Sequence, residues 1–294
     1  MPWLKIFILA MIQGATELLP VSSSAHVIVA EKLMGLDPTA PSMTLLLAML
    51  HTGTMLAVIV FFWNSWKARF FSSRQAFLDS VKLIMAATVL TGFVGLLLKT
   101  LIEKWVLRST PHAEIELIFG NLGLISAALA AVGILILLAG KSSGRACSAS
   151  TRIPACPPTL NFGASCLIGI VQGICLPFRG FSRSGATIST GLLLGVEKRI
   201  AEDFSFALAV VLTPPVILRE TLRLLKAHHI SSWHETNLFA LFVPSLIGMV
   251  LSFASGVLAL QWLSNWLERG RWYWFGIYCL GASVVIFLLY CSGL

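Results

Sequence analysis

Apolar residues run along this chain in long blocks rather than in alternation. Six blocks approach the roughly 20 apolar residues that a helix needs to cross a bilayer. They cover 43–63, 83–98 with apolar flanks, 115–139, 204–218 extended to about 225, 238–263 and 272–290. Two other regions break in the middle. In the first, an apolar run over 3–16 meets a Ser-rich loop and resumes over 25–36. In the second, a run over 162–176 meets "PFRGFSRSG" and resumes over 186–196. Half-length segments broken by Pro and Gly predict re-entrant helix-loop-helix pairs. At membrane depth such backbone survives only when buried in protein or lining a cavity.

The two broken regions resemble each other. "MIQGATELLPVSSSAH" and "IVQGICLPFRGFSRSG" both carry a Gln-Gly pair, Gln13-Gly14 and Gln172-Gly173, then a Pro, then a Ser-rich turn. Three full spans follow each. The pattern predicts a single all-α integral membrane domain over 1–294, built from two repeats of about 1–140 and 159–294. Three crossings separate the broken pairs, and three is odd, so the second pair enters from the opposite face. That is an inverted-topology repeat, with about six transmembrane helices and two re-entrant pairs.

Composition agrees. Of 294 residues, 57% are hydrophobic and 12% charged, against about a quarter charged in soluble domains. No stretch between the apolar runs is long enough to build a soluble core. The net charge of +8 would suggest nucleic acid on a soluble protein. Here the basic residues sit in short loops, the pattern of membrane proteins, where they attract anionic head groups; no nucleic-acid partner is expected. Charge favours placing the loops 64–80, 140–158, 197–203 and 264–271 in the cytoplasm. The bias is slight, because Lys99, Lys104, Arg108, Arg219, Arg223 and Lys226 lie on the other side. The first 20 residues lack a small-residue cleavage site, so the mature protein is expected to begin at or near Met1. Cys166, Cys175, Cys279 and Cys291 read as small buried hydrophobes. Cys147 and Cys156 share a loop and pair only if it faces an oxidising compartment. The cysteines show no metal-ligand spacing.

The chemistry concentrates in the two broken regions. An ionisable group inside a membrane segment is costly and functional by default, which singles out Glu17. Gln13 lies four residues before it, on the same helix face; together they can hold a divalent cation or position water. The bland alternative is a Glu hydrated at an interface. Pro20 ends the first half-helix, and a serine among Ser22, Ser23 and Ser24 caps the next. A cap does not explain three hydroxyls with His26 behind them. Hydroxyls at a helix start form an anion site, where His26 can act as nucleophile or as general acid and base. The second loop supplies positive charge. Arg183, between Ser182 and Ser184, presents a planar fork suited to phosphate oxygens. Thr187 sits one turn on, and Gly180 and Gly185 let the backbone approach a ligand. Arg179 either adds a second cation or snorkels towards head groups. His51, Thr52, Gly53 and Thr54 line a cavity or bond between helices. Glu116 and Asn121 read as structural or interfacial, and Pro214-Pro215 as a kink.

Taken together, "QGATELLPVSSSAH" and "GFSRSGAT" closely resemble the two signature regions of the bacterial undecaprenyl-diphosphate phosphatases of the bacitracin-resistance type. The resemblance runs over essentially the whole chain and includes "EDFSFALAV". It implies hydrolysis of undecaprenyl diphosphate to undecaprenyl phosphate and inorganic phosphate, recycling the lipid carrier of cell-wall synthesis. It implies a multi-pass protein of the bacterial plasma (inner) membrane, a site opening towards the periplasmic side, a polyprenyl diphosphate lipid as substrate, and a divalent cation, Mg²⁺ or Ca²⁺. It leaves room for a homodimer. By resemblance, Glu17 matches the family's motif Glu, Ser22, Ser23 and His26 its hydroxyls and His, and Ser182, Arg183, Ser184 and Thr187 its Arg-bearing loop. Two positions depart. Gln13 stands where many members have Glu, so one negative charge for a cation is missing. Arg179 replaces a Pro and offers an extra phosphate contact. His26 or Ser23 attacks phosphorus, or one of them activates water, with Glu17 as base or cation ligand. The competing class is a lipid-carrier flippase or transporter with a midplane anion site.

Overall fold

The computed structural model describes residues 2–37, 41–106, 120–149, 160–230 and 238–293. Glu116, Arg108 and Cys156 lie outside the described residues, as does the side chain of Cys147. Every regular element among the described residues is helical. The helices are α1 (Trp3–Leu18), α2 (Ser23–Leu33), α3 (Pro41–Phe70), α4 (Arg74–Leu101, continued by a π-helical turn, Ile102–Val106), α5 (Leu122–Ala149), α6 (Phe162–Cys175), α7 (Arg183–Leu193), α8 (Lys198–Ile230), α9 (Leu238–Glu268) and α10 (Tyr273–Cys291).

Among the described residues, α3, α4, α5, α9 and α10 are long and apolar enough to cross a membrane. The span expected over 204–225 lies inside α8, which is not one of the five. These helices carry apolar side chains outward as well as inward. In α4 only 11% of the apolar window is buried, as expected when the surrounding solvent is lipid. The same reasoning accounts for Cys291, which is exposed, whereas Cys175 and Cys279 are buried.

Both broken regions form short helix pairs. In the first, Leu19 precedes a proline and is extended, at φ −73 and ψ 150, which stops α1. The chain then turns back. The ammonium of Lys5, at the start of α1, donates to the Met34 carbonyl at the end of α2, 2.7 Å away. α1 and α2 therefore begin and end on one side.

Small residues let the half-helices press against full spans, as in other membrane interfaces. α1 packs on α9 and α6 on α4. A Cβ on Gly14 would stand 2.5 Å from the Ser252 carbonyl oxygen on α9, and one on Gly173 2.9 Å from the Thr91 carbonyl oxygen on α4. Each Gly of the repeated Gln-Gly pairs thus faces a long apolar helix distant in sequence, α9 for Gly14 and α4 for Gly173. Hydroxyls reinforce the contacts: Ser255 donates to Met11 O (3.1 Å) and Thr91 to Gly169 O (2.9 Å).

The "EDFSF" segment anchors the start of α8. The buried Asp203 carboxylate accepts from Ser65 (2.7 Å) and pairs with Arg69 (3.2 Å), both on α3. Glu202 accepts from Ser264 on α9, 3.2 Å away. Asn121 caps α5 through the Leu124 N–H, the structural role expected of it.

Candidate active site

Glu17 is the hub. It ends α1, one turn after Gln13, whose amide donates to Glu17 Oε2 at 3.0 Å. Ser23 opens α2, and its hydroxyl donates to the same oxygen. Arg183 opens α7, and its Nη2 pairs with the other oxygen, Oε1. His51 on α3 brings Nε2 to 3.8 Å from Oε2. Four helices therefore converge on one carboxylate. The starts of α2 and α7 both face it, which adds the partial positive charge of two helix N-termini.

The two loops touch. The Gly180 N–H donates to Ser24 Oγ (3.3 Å), and Ser184 donates to the Leu19 carbonyl (3.3 Å). Gly180 has φ +101, and a Cβ there would fall 2.5 Å from the Ile125 carbonyl oxygen; only glycine fits. Ser22 has φ 67, a conformation that non-glycine residues hold only when the surroundings enforce it. Its hydroxyl lies 3.3 Å from that of Ser24.

Two spaces meet at this hub. A polar cleft is lined by Glu17, Ser22, Ser23, Ser24, Arg179 and Arg183, among others. A second, narrow space has Leu18, Met55, Val58, Phe206 and Ala209 on its walls, with Gln172, Ser184 and Thr187 among its polar groups. Glu17, His51, Arg183 and Thr213 border both. Among the described residues the buried Gln172 amide nitrogen has no hydrogen-bond partner.

Other expected residues take supporting places. Ser182 caps α7 by accepting from Gly185 N–H at 3.2 Å. Thr187 bonds the Arg183 carbonyl (2.8 Å) and the Ser205 hydroxyl, fastening α7 to α8. Thr52 and Thr54 bond back to their own helix.

His26 is not brought into either space. Its Nδ1 lies 2.8 Å from the Ser22 carbonyl oxygen and its Nε2 2.7 Å from the Tyr278 hydroxyl, with the two rings stacked. A carbonyl only accepts, so Nδ1 carries the hydrogen and Tyr278 donates to Nε2 of the neutral ring. Three positions along α2 from Ser23, His26 looks towards α10. It holds the strained Ser22 turn instead of facing the cleft. His26→Ala is expected to slow turnover about tenfold through a looser turn, and Tyr278→Phe less. Steady-state rates on both variants check this; a loss on the order of 10⁴-fold for His26→Ala would mean the imidazole does the chemistry.

The hub offers a divalent cation one carboxylate, Glu17, among the described residues, so the remaining ligands would have to come from substrate phosphates and water. Mg²⁺ is usually held by carboxylates and phosphates, and Ca²⁺ takes six to eight oxygens. Here Glu17 is the one carboxylate at the hub, and Arg183, Gln13 and Ser23 engage both its oxygens. Among the described residues no group of three His, Cys, Asp or Glu is placed to hold a metal.

Sequence reasoning left out His51 as a site residue, and missed Gln172, Thr213 and Tyr278. The repeat was the available signal for Gln172, which occupies the place in the second half that Gln13 holds in the first. Thr213 and Tyr278 carry no sequence signal.

Known proteins extend the picture. The chain is 55% identical over 290 residues to undecaprenyl-diphosphatase 2 of Acinetobacter baylyi, covering 98% of each chain. It is 33% identical to undecaprenyl-diphosphatase 1 of Burkholderia pseudomallei, over 99% of this chain and 96% of that one. It is 30% identical to the undecaprenyl-diphosphatase of Rhodopirellula baltica, over 97% of both. The family described as bacitracin resistance protein BacA matches residues 6–285, and with both signature loops folded onto one carboxylate, the chain belongs to that family.

Proposed function

We propose that this protein is a membrane-embedded phosphatase that hydrolyses undecaprenyl diphosphate to undecaprenyl phosphate and inorganic phosphate, returning the lipid carrier to cell-wall synthesis and so giving resistance to bacitracin. The observation that carries the reading is the hub itself. A hydroxyl bonded to a carboxylate, beside an arginine and two helix starts, stands where a polar cleft meets an apolar-walled cavity. The relatives named for this substrate match over nearly the whole chain.

In this reading the diphosphate occupies the cleft, against Arg183 and the N–H groups that open α2 and α7. Arg179 on the rim adds a second cation. Ser23 attacks the terminal phosphorus, and the bridging P–O bond breaks to release undecaprenyl phosphate. Water then displaces Ser23 and frees inorganic phosphate. Most of the acceleration comes from positioning and charge stabilisation, as is usual in phosphoryl transfer. Every group comes from one chain, so the site is complete without a second copy.

The same reading sets the protein in the bacterial plasma membrane as an inverted repeat, with its cleft towards the outer face. Support comes from charge. Lys67 and Arg69 on α3, Lys198 and Arg199 on α8, and Arg269 and Arg271 after α9 gather at one end, where Arg69 pairs with Asp203 and Arg199 with Glu268. Positive loops favour the cytoplasm. His51 lies 18 residues before Arg69 on α3, roughly 27 Å away along the axis.

The test is phosphate release from undecaprenyl diphosphate by purified protein in detergent, where no compartments exist. Steady turnover is expected, and chelator should lower it if Glu17 and the substrate phosphates share a divalent cation. Lipid binding without phosphate release would overturn the phosphatase reading.

A further inference from the structure

One side chain at the hub has no part in the steps above. His51 comes from the middle of α3, and its Nδ1 lies 2.8 Å from the Leu47 carbonyl oxygen, one turn back along the same helix. That carbonyl can only accept, so Nδ1 bears the hydrogen, and whenever the ring is neutral Nε2 carries the lone pair. Nε2 is the atom that faces Glu17 Oε2, at 3.8 Å, a gap that a small ring movement or one water spans. Gly53, two residues on, fixes this part of α3: a Cβ there would fall 2.3 Å from the Met249 carbonyl oxygen of α9.

Glu17 is badly placed to keep a proton. Its Oε1 is held by Arg183, and its Oε2 accepts from Gln13 and from Ser23. These bonds suit a carboxylate, and a carboxylic acid would have to give one up. Yet the proposed reaction must move a proton. When Ser23 Oγ bonds to phosphorus, its hydrogen has to leave, and the path it already points along ends at Glu17 Oε2. The groups that line the space around His51 are Glu17 from α1, Arg183 from α7, Arg179 and Cys175 from the second broken region, and the neutral hydroxyl of Thr213 from α8. Arg179 and Arg183 stay protonated, and the Cys175 thiol already donates to the Val171 carbonyl. Among the described residues lining the cleft, that leaves one free basic lone pair beside Glu17.

We propose that His51 is the group that takes up and returns the proton of this reaction, with Glu17 as the bridge between it and Ser23; this rests on the phosphatase reading above. As the Oγ–P bond forms and the bridging P–O bond breaks, the Ser23 hydrogen passes through Glu17 Oε2 to His51 Nε2, and undecaprenyl phosphate leaves. In the second step water bonds to phosphorus and the Ser23 Oγ–P bond breaks. The imidazolium returns its proton to Ser23 Oγ and takes one from the attacking water. The one net proton that hydrolysis liberates then leaves His51 for solvent. The role that the sequence suggested for His26 thereby falls to the other imidazole.

The experiment measures kcat and KM for phosphate release across pH for wild type, His51→Gln and His51→Asn. His51 must be neutral to accept, so wild-type kcat should fall on acidification. Both variants should lose about 10²-fold in kcat, with KM nearly unchanged, and should lack the acidic limb. A purely structural role would change folding or KM and leave the limb in place. Wild-type rates in either variant, or an unaltered acidic limb, overturn the proposal. If neither variant purifies like wild type, the wild-type profile decides alone: a kcat that does not fall on acidification overturns it. Wild-type protein that releases no phosphate at all is a different outcome and defeats the phosphatase reading itself.

Discussion

Ser23→Ala is expected to release phosphate from undecaprenyl diphosphate on the order of 10⁴-fold more slowly than wild type. Of the three consecutive serines, Ser23 is the one whose hydroxyl donates to Glu17. The Ser22 hydroxyl lies against that of Ser24, and Ser24 accepts from the Gly180 N–H. Those two hold the loops in register. Ser22→Ala and Ser24→Ala should therefore lose about tenfold, the scale of a loosened rather than missing reacting group. Ser23→Ala leaves the pair between Glu17 and Arg183 intact, so substrate binding should survive. Single-turnover phosphate release, with lipid binding measured alongside, separates the three. If Ser23→Ala stays within tenfold of wild type, water attacks phosphorus directly.

What the sequence made legible follows from what lipid forbids. Backbone and side-chain polarity at membrane depth must be satisfied by protein, so a Pro, three serines and a Glu inside apolar surroundings announce a cavity before any coordinates exist. Glu17, Ser23 and Arg183 were readable on that ground, and all three converge. The repeated Gln-Gly pairs were readable too, although the reason for their Gly, close contact with α9 and α4, belongs to tertiary packing.

His26 and His51 show where reading along the chain stops. His26 lies beside the serines in sequence, but helix rotation turns it to Tyr278. His51 lies in a long apolar span with hydroxyls around it, a pattern that helix-to-helix bonding explains equally well. Thr52 and Thr54 do bond within α3, and only the distance to Glu17 distinguishes the histidine. α8 shows a related limit. Its apolar run is visible in sequence, but the burial of Glu202 and Asp203 at its start depends on serines from α3 and α9.

Arg183→Ala is expected to lower phosphate release on the order of 10³-fold, the loss seen when a cation that stabilises a transferring phosphoryl group is removed. Arg183→Lys should recover only part of this, because an ammonium lacks the planar fork that engages two phosphate oxygens side by side. The substitution also strips Glu17 of its cation. Breaking a fully buried pair costs about 3–5 kcal/mol; here Arg183 is 31% exposed to the cleft, and water there should reduce the cost to about 1–2 kcal/mol. Stability and chemistry can then be told apart by a second change. Adding Glu17→Gln to Arg183→Ala removes the unpaired charge and should raise the melting temperature back towards wild type. It should not restore activity, since the double variant lacks both the cation for the phosphoryl group and the acceptor for the Ser23 hydroxyl. A double variant that regained turnover together with stability would mean that Arg183 matters only as the structural partner of Glu17.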